Sequence, residues 1–166
     1  RSIPNSLDFT KKHRILYFGY LANRIRWNVI EHFVSNNIHV DFYAPLSSAK
    51  ANDLKWLERL GRYPAFNLNK ETRLEDLNPS NYVCSIQPYV VDNHYNQMIT
   101  FSNRTARLLS LGIPSLHQEL PYLIACNKGV IFRANTPDEY MRGFHYLRAN
   151  AADSARLIST FLSEHD

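Results

Sequence analysis

The sequence predicts a single Rossmann-like α/β domain of three layers, a mostly parallel sheet with helices on both faces. Three observations predict it. Short apolar runs alternate along the chain with stretches whose apolar residues recur at helical spacing. The first run ends in Gly19 and leads through an amphipathic stretch into a second run, the pattern of a parallel crossover unit. The length of 166 residues and the hydrophobic fraction of 45% suit one domain with a core of its own.

Taken in order, residues 1–12 are polar, carry Pro4 and read as an N-terminal arm or linker, which leaves 13–166 as the domain. Residues 13–20 form the first strand. Residues 23–36 carry Ile25, Val29, Ile30, Phe33 and Val34 at helical spacing, and 38–43 form the second strand, broken by Ala44-Pro45. Residues 53–60 make a short amphipathic helix stopped by Gly61. A weak strand follows at 63–68, demoted by Pro64. Thr72 and Glu75 have the spacing of a capping box for one or two helical turns over 72–77, and 78–81 read as a loop. Residues 82–88 are a strand and 89–100 a polar loop. A helix then opens at Thr100, Ser102 and Asn103, buries Leu108, Leu109 and Leu111, and stops at Gly112-Ile113-Pro114 before the short buried run Ser115-Leu116. Residues 117–122 read as a loop and 129–132 as the last strand. Helices follow from Pro137 to about Leu147 and over 152–162. No low-complexity tract or repeat of short period is present.

The formal charge of +4 and pI near 9.1 favour anionic partners: a nucleotide, a phospholipid surface or nucleic acid. The basic residues are scattered and not clustered with interleaved aromatics, which argues against nucleic acid. A phospholipid surface leaves room for a peripheral contact at the inner face of the membrane. Cys84 and Cys126 have neither metal-ligand spacing nor a disulfide framework, which fits a reduced, cytoplasmic setting. No apolar run has the length of a membrane span, and no signal peptide is visible. Without a secretory signal the sequon at Asn103, Arg104 and Thr105 is discounted. There is no metal cluster and no Ser-His-Asp arrangement. The first residue is Arg1, so the chain reads as a fragment or a processed form.

The stretch from 99 to 117 organises the rest. A helix N-terminus offers free backbone N–H groups, and Arg104 adds a charge beside them, so this is where a phosphate is expected. Ser102 and Asn103 are helix caps first, and the same geometry serves an anion. Three strand-ending loops, 19–26, 87–103 and 117–122, are expected to face one cleft at the carboxyl ends of the strands. Gly19 is either a tight turn or a point of close phosphate approach. Arg24 and Arg26 lie two apart, so on a helix at most one faces a ligand. His94 and His117 are candidate proton donors and otherwise surface residues. Glu119 lies in the third of these loops. With Asp92 it could form an acid/base pair, though a solvated glutamate is the plainer reading.

These residues resemble a known family. Phe18-Gly19-Tyr20 followed by Asn23-Arg24-Ile25 is similar to the opening of the C-terminal lobe of GT-B-fold glycosyltransferases. The strand over 82–88 and the order Ser102-Asn103-Arg104, Leu109-Ser110-Leu111, Gly112-Ile113-Pro114 resemble that lobe's later pattern of Ser-Asn-Lys, a leucine-rich turn and Ala-Leu-Gly-Lys-Pro. The resemblance runs from about His13 to the end of the chain.

The resemblance implies a nucleotide-diphosphate-sugar donor, such as a UDP- or GDP-sugar, bound as substrate in this lobe, with no further cofactor and no metal. It places Gly19, Arg24 or Arg26, Ser102, Asn103 and Arg104 on the diphosphate, and it places Glu119 near the sugar or acceptor. Sugar transfer, in the synthesis of cell-surface polysaccharide or glycoconjugates, would need an N-terminal acceptor-binding lobe missing from this chain, so the lobe alone is expected to be inactive and its catalytic residues stay unassigned. One departure stands out. Where many members carry a ribose-binding Glu in the middle of the central helix, this sequence has Arg107, which cannot accept hydrogen bonds. Arg107 and the missing lobe leave open an alternative: a non-catalytic Rossmann-like binding module.

Overall fold

The computed structural model describes residues 13–22, 24–69, 72–90, 103–118 and 131–164. The strands form in chain order as β1 (Arg14–Phe18), β2 (Val40–Tyr43), β3 (Phe66–Asn69), β4 (Tyr82–Gln87), β5 (Ser115–His117) and β6 (Ile131–Arg133). Among the described residues they make one sheet in the order β3-β2-β1-β4-β5-β6, with every adjacent pair parallel. The helices are α1 (Trp27–Ser35), α2 (Ala51–Leu60), α3 (Asn103–Ser110), α4 (Pro137–Ala149) and α5 (Ala151–Ser163).

Alternation along β1 divides the core. Ile15 and Tyr17 point to one face, where Val29, Ile30 and Phe33 of α1, Leu57 and Leu60 of α2, and Tyr140 and Phe144 of α4 cover them. Leu16 points to the other, against Leu74, Leu77, Leu108 and Ile113. On that second face α5 closes the far end through Ile158, packed with Leu109 and Ile131. Sheets buried on both faces read as continuous apolar runs, which is why β1 and β4 were legible as strands. Stacked rings fill the first face: Tyr17 lies 4.3 Å from Phe42, and Trp27 lies 5.6 Å from Phe42. Gly143 lets α4 settle on β5, since a β-carbon there would stand 2.6 Å from Leu116 Cδ2.

Several boundaries differ from the sequence expectation, each for a physical reason. The first helix starts at Trp27, not near residue 23. The backbone just before it is taken up by pairing with the segment after β4: Ile25 bridges Tyr89, the Arg26 amide donates to the Pro88 carbonyl (2.7 Å), and the Val90 amide donates to the Arg24 carbonyl (2.8 Å). Arg24 and Arg26 therefore do not lie on a helix. The expected capping box at Thr72 does not form: a 3-10 turn over Leu74–Asp76 starts from an extended Arg73 with no side-chain cap, and the Glu75 carboxylate pairs with Arg107 instead. Residues 79–81 form another 3-10 turn, capped by the Asn78 side chain. His117, expected in a loop, belongs to β5 because Gln87 of β4 and Arg133 of β6 pair with it on either side. Pro64 stays outside β3, which is an edge strand, the place where a neighbouring proline is tolerated. The arm over 1–12 lies outside the described residues, as does Cys126; Cys84 is buried and in no disulfide among the described residues.

Candidate functional site

In a sheet of this order the strand sequence reverses between β1 and β4, and a crevice opens beyond their carboxyl ends. Three chain segments meet there. The Gly19 amide, just past β1, donates to the Tyr43 carbonyl at the end of β2 (3.0 Å). A β-carbon on residue 19 would lie 2.8 Å from Arg104 Nη1 and 2.9 Å from the Tyr17 hydroxyl. Glycine at this position lets a guanidinium from α3 lie against the backbone of the first loop.

Arg104 sits in the first turn of α3 and is positioned by neutral groups. Its Nη1 donates to the Tyr89 hydroxyl (2.8 Å), and its guanidinium stands 5.7 Å from the centre of the exposed Tyr20 ring. The same turn is pinned to β4 by Gln87 Nε2, which donates to Thr105 Oγ1 (3.0 Å) in a buried contact. Beneath them the Tyr17 hydroxyl donates to the Tyr20 carbonyl (2.7 Å). Burial first, then the neighbouring Tyr89, holds that hydroxyl protonated well above the ordinary tyrosine range, with Arg104 pulling the other way.

A cavity of about 210 Å³ opens beside this cluster. Phe18, Tyr43, Pro45 and Leu74 give it an apolar lining, and Arg104 and Arg107 give it two guanidinium groups one helical turn apart. Arg107 is ion-paired with Glu75 at the exposed rim. The two arginines thus differ: among the described residues, the contacts of Arg104 are neutral, whereas Arg107 carries its own counter-charge.

Of the residues expected at the phosphate, Gly19 and Arg104 come together. Arg24 and Arg26 stand on the segment paired with Tyr89; Arg24 is exposed, and the Arg26 guanidinium donates to the Asn135 carbonyl before α4. Asn103 opens α3, while Ser102, His94, Asp92 and Glu119 lie outside the described residues. His117 is buried beside Tyr89, with ring centres 6.4 Å apart, and its Nδ1 faces the Gln118 carbonyl (3.1 Å). Desolvation lowers its pKa to about 4, so the ring is neutral at pH 7. Sequence reasoning missed Tyr89, Gln87 and Glu75. The signal for Tyr89 was its place directly after the strand-ending Pro88; Glu75 gave none, because its partner is 32 residues away. Among the described residues no group of three His, Cys, Asp or Glu side chains could hold a metal ion, and no helix is long and apolar enough to cross a membrane.

The sheet order, the all-parallel pairing and the crevice at the switch point define a doubly wound, Rossmann-like domain. More narrowly, its fold is that of one lobe of the GT-B glycosyltransferase architecture. It is similar to Anabaena HepE in complex with UDP, with a TM-score of 0.68 at 10% identity over 92% of this chain and 43% of that one. It is similar also to S. aureus TarM in complex with Fondaparinux, alpha-GlcNAc-glycerol and UDP, with a TM-score of 0.66 at 12% identity over 96% of this chain and 33% of that one. A third is AviGT4, a glycosyltransferase involved in Avilamycin A biosynthesis, with a TM-score of 0.56 at 12% identity over 93% and 51%. At these identities the likeness is one of fold, and the chain spans about a third to a half of the length of these proteins. No protein-family model and no curated protein matches the sequence.

Proposed function

We propose that this chain is the donor-binding lobe of a glycosyltransferase and takes a nucleoside diphosphate sugar in the crevice between β1, β4 and α3. The observation that carries the reading is Arg104, held against Gly19 by the Tyr89 hydroxyl, its contacts among the described residues being neutral. A guanidinium placed in advance beside the first turn of a helix suits a diphosphate, because both the charge and the free N–H groups favour an anion. UDP in the structures of HepE and TarM supports the same class of ligand.

In this reading the diphosphate lies over Gly19, within reach of Arg104 and the N-terminal amides of α3, with Ser102 and Asn103 at the same helix start. The leaving diphosphate is stabilised there by backbone N–H groups and arginine, without a metal or further cofactor. The acceptor is held by a second lobe, and this lobe by itself does not turn over. Arg24 is exposed on the segment paired with Tyr89 and is the second candidate cation for the diphosphate, while Arg26 braces that segment against the start of α4. His94 and Glu119, which lie outside the described residues, are the candidates for the sugar and acceptor side, whereas His117 is buried and neutral at pH 7 and is given no part in proton transfer. Synthesis of a surface polysaccharide or glycoconjugate, at the cytoplasmic face of the membrane, is the setting that goes with such an enzyme.

Calorimetric titration with UDP, GDP and their sugar conjugates tests the reading. One base is expected to bind preferentially, and Arg104→Ala is expected to weaken that binding about ten-fold or more, the scale of a lost charge-assisted contact. A folded chain that binds none of these ligands up to millimolar concentration would overturn it.

A further inference from the structure

We infer that Glu75, held in place by Arg107, is the acceptor for the ribose hydroxyls of the bound nucleotide. The inference rests on the donor-binding reading of the same cavity and assigns a residue that reading leaves open. A ribonucleotide with its phosphate at Arg104 brings two ribose hydroxyl donors near that phosphate, and a carboxylate within reach is their strongest acceptor. The described lining of the cavity offers two guanidinium groups and no carboxylate. Guanidinium groups only donate, and the Tyr20 and Tyr43 hydroxyls and backbone carbonyls of the lining are neutral acceptors, weaker than a carboxylate.

Glu75 supplies what the lining lacks. It comes from the turn after β3, adjacent in the chain to Leu74, which is buried and lines the cavity. Its Oε1 is paired with Arg107, which also lines the cavity. A carboxylate has about four acceptor positions. One pairing therefore leaves it capacity for hydroxyl groups, and its half-exposed side chain is open to them. Arg104 and Arg107 are one helical turn apart on one side of α3, a spacing that a nucleotide spans between phosphate and ribose. The pair also explains the division of labour between the arginines. Arg107 is neutralised and acts as a positioning residue, and Arg104 keeps its charge for the phosphate.

The test compares UDP and GDP with their 2′,3′-dideoxy counterparts on the wild-type chain, Glu75→Ala and Arg107→Gln. Wild type is expected to bind the preferred ribonucleotide about ten-fold more tightly than its dideoxy form, the scale of a hydrogen bond to a charged group. Glu75→Ala is expected to erase that preference by weakening the ribonucleotide alone. Because the ion pair is exposed, this variant should fold as wild type does, which its unfolding curve checks. Arg107→Gln frees Glu75 and should reduce the preference while weakening both forms, since the unpaired carboxylate then repels the phosphate. If wild type binds both forms equally, or if Glu75→Ala keeps the preference, the Glu75 assignment falls and the donor-binding reading stands. If wild type binds neither form, the donor-binding reading falls and takes the assignment with it.

Discussion

The Arg104 guanidinium donates a 2.8 Å hydrogen bond to the Tyr89 hydroxyl, which ties the first turn of α3 to the segment leaving β4. Tyr89 in turn bridges Ile25, and its amide donates to Gln118 Oε1 (2.8 Å), so one residue joins the loops after β1, β4 and β5. Removing the hydroxyl separates positioning from packing. Tyr89→Phe is expected to bind nucleotide about five-fold more weakly than wild type, the worth of one ordinary hydrogen bond, with its unfolding midpoint in urea little changed. Titration and urea unfolding of the same sample check both halves.

Gly19→Ala acts on the same arginine from the opposite side. Its β-carbon would sit 2.8 Å from Arg104 Nη1 and 2.9 Å from the buried Tyr17 hydroxyl. Arg104 can swing away, but Tyr17 cannot. The expected result is a loss of about 1 to 3 kcal/mol of stability from overpacking, together with weaker nucleotide binding. Urea unfolding and titration read the two effects.

His117 makes stability fall in mild acid. Burial lowers its pKa to about 4 from an unfolded value near 6.5, so the unfolded state binds the proton more readily. Its contribution is complete above pH 6.5 and is lost as pH falls from there toward 4, at up to about 1.4 kcal/mol per pH unit. His117→Leu should flatten the stability profile in that window. A His117 ring resonance that titrates near 6.5 in the folded chain would contradict the prediction.

Toward the amino ends of the strands, Asp41 holds four strands together. It accepts from Arg14 (2.7 Å) on β1, Asn67 (3.2 Å) on β3 and the Tyr82 hydroxyl (2.9 Å) on β4. Burial and then the Asp41 carboxylate keep that hydroxyl protonated far above its usual range. Asp41→Ala strands a partly buried arginine and a buried hydroxyl, and should cost about 2 to 4 kcal/mol by urea unfolding. Nucleotide affinity measured well below the denaturation midpoint should not change.

Much of the fold was written in local pattern. The apolar runs of β1, β2 and β4 are continuous because both faces of the sheet are covered, and the stripe of Val29, Ile30 and Phe33 has the helical period for the same reason. Thr136-Pro137 marked the start of α4, where the Thr136 side chain accepts from the Glu139 amide. The ends of elements were less legible. Whether residues 24–26 are helical depends on Pro88, Tyr89 and Val90, and whether His117 is in a strand depends on Gln87 and Arg133; neither set of partners is near in sequence.

The sequence by itself determined the alternation of strands and helices, the glycine after the first strand and the arginine at the start of the central helix. These follow from short-range periodicity and capping, which act within a few residues. Only the tertiary structure decided that β1 lies between β2 and β4, and with it the meeting of Gly19, Tyr89 and Arg104. It decided also that Glu75 faces Arg107 instead of capping its own turn. Strand order and such pairings are set by which apolar faces bury each other and which charges are thereby brought together, and no local window of residues contains that information.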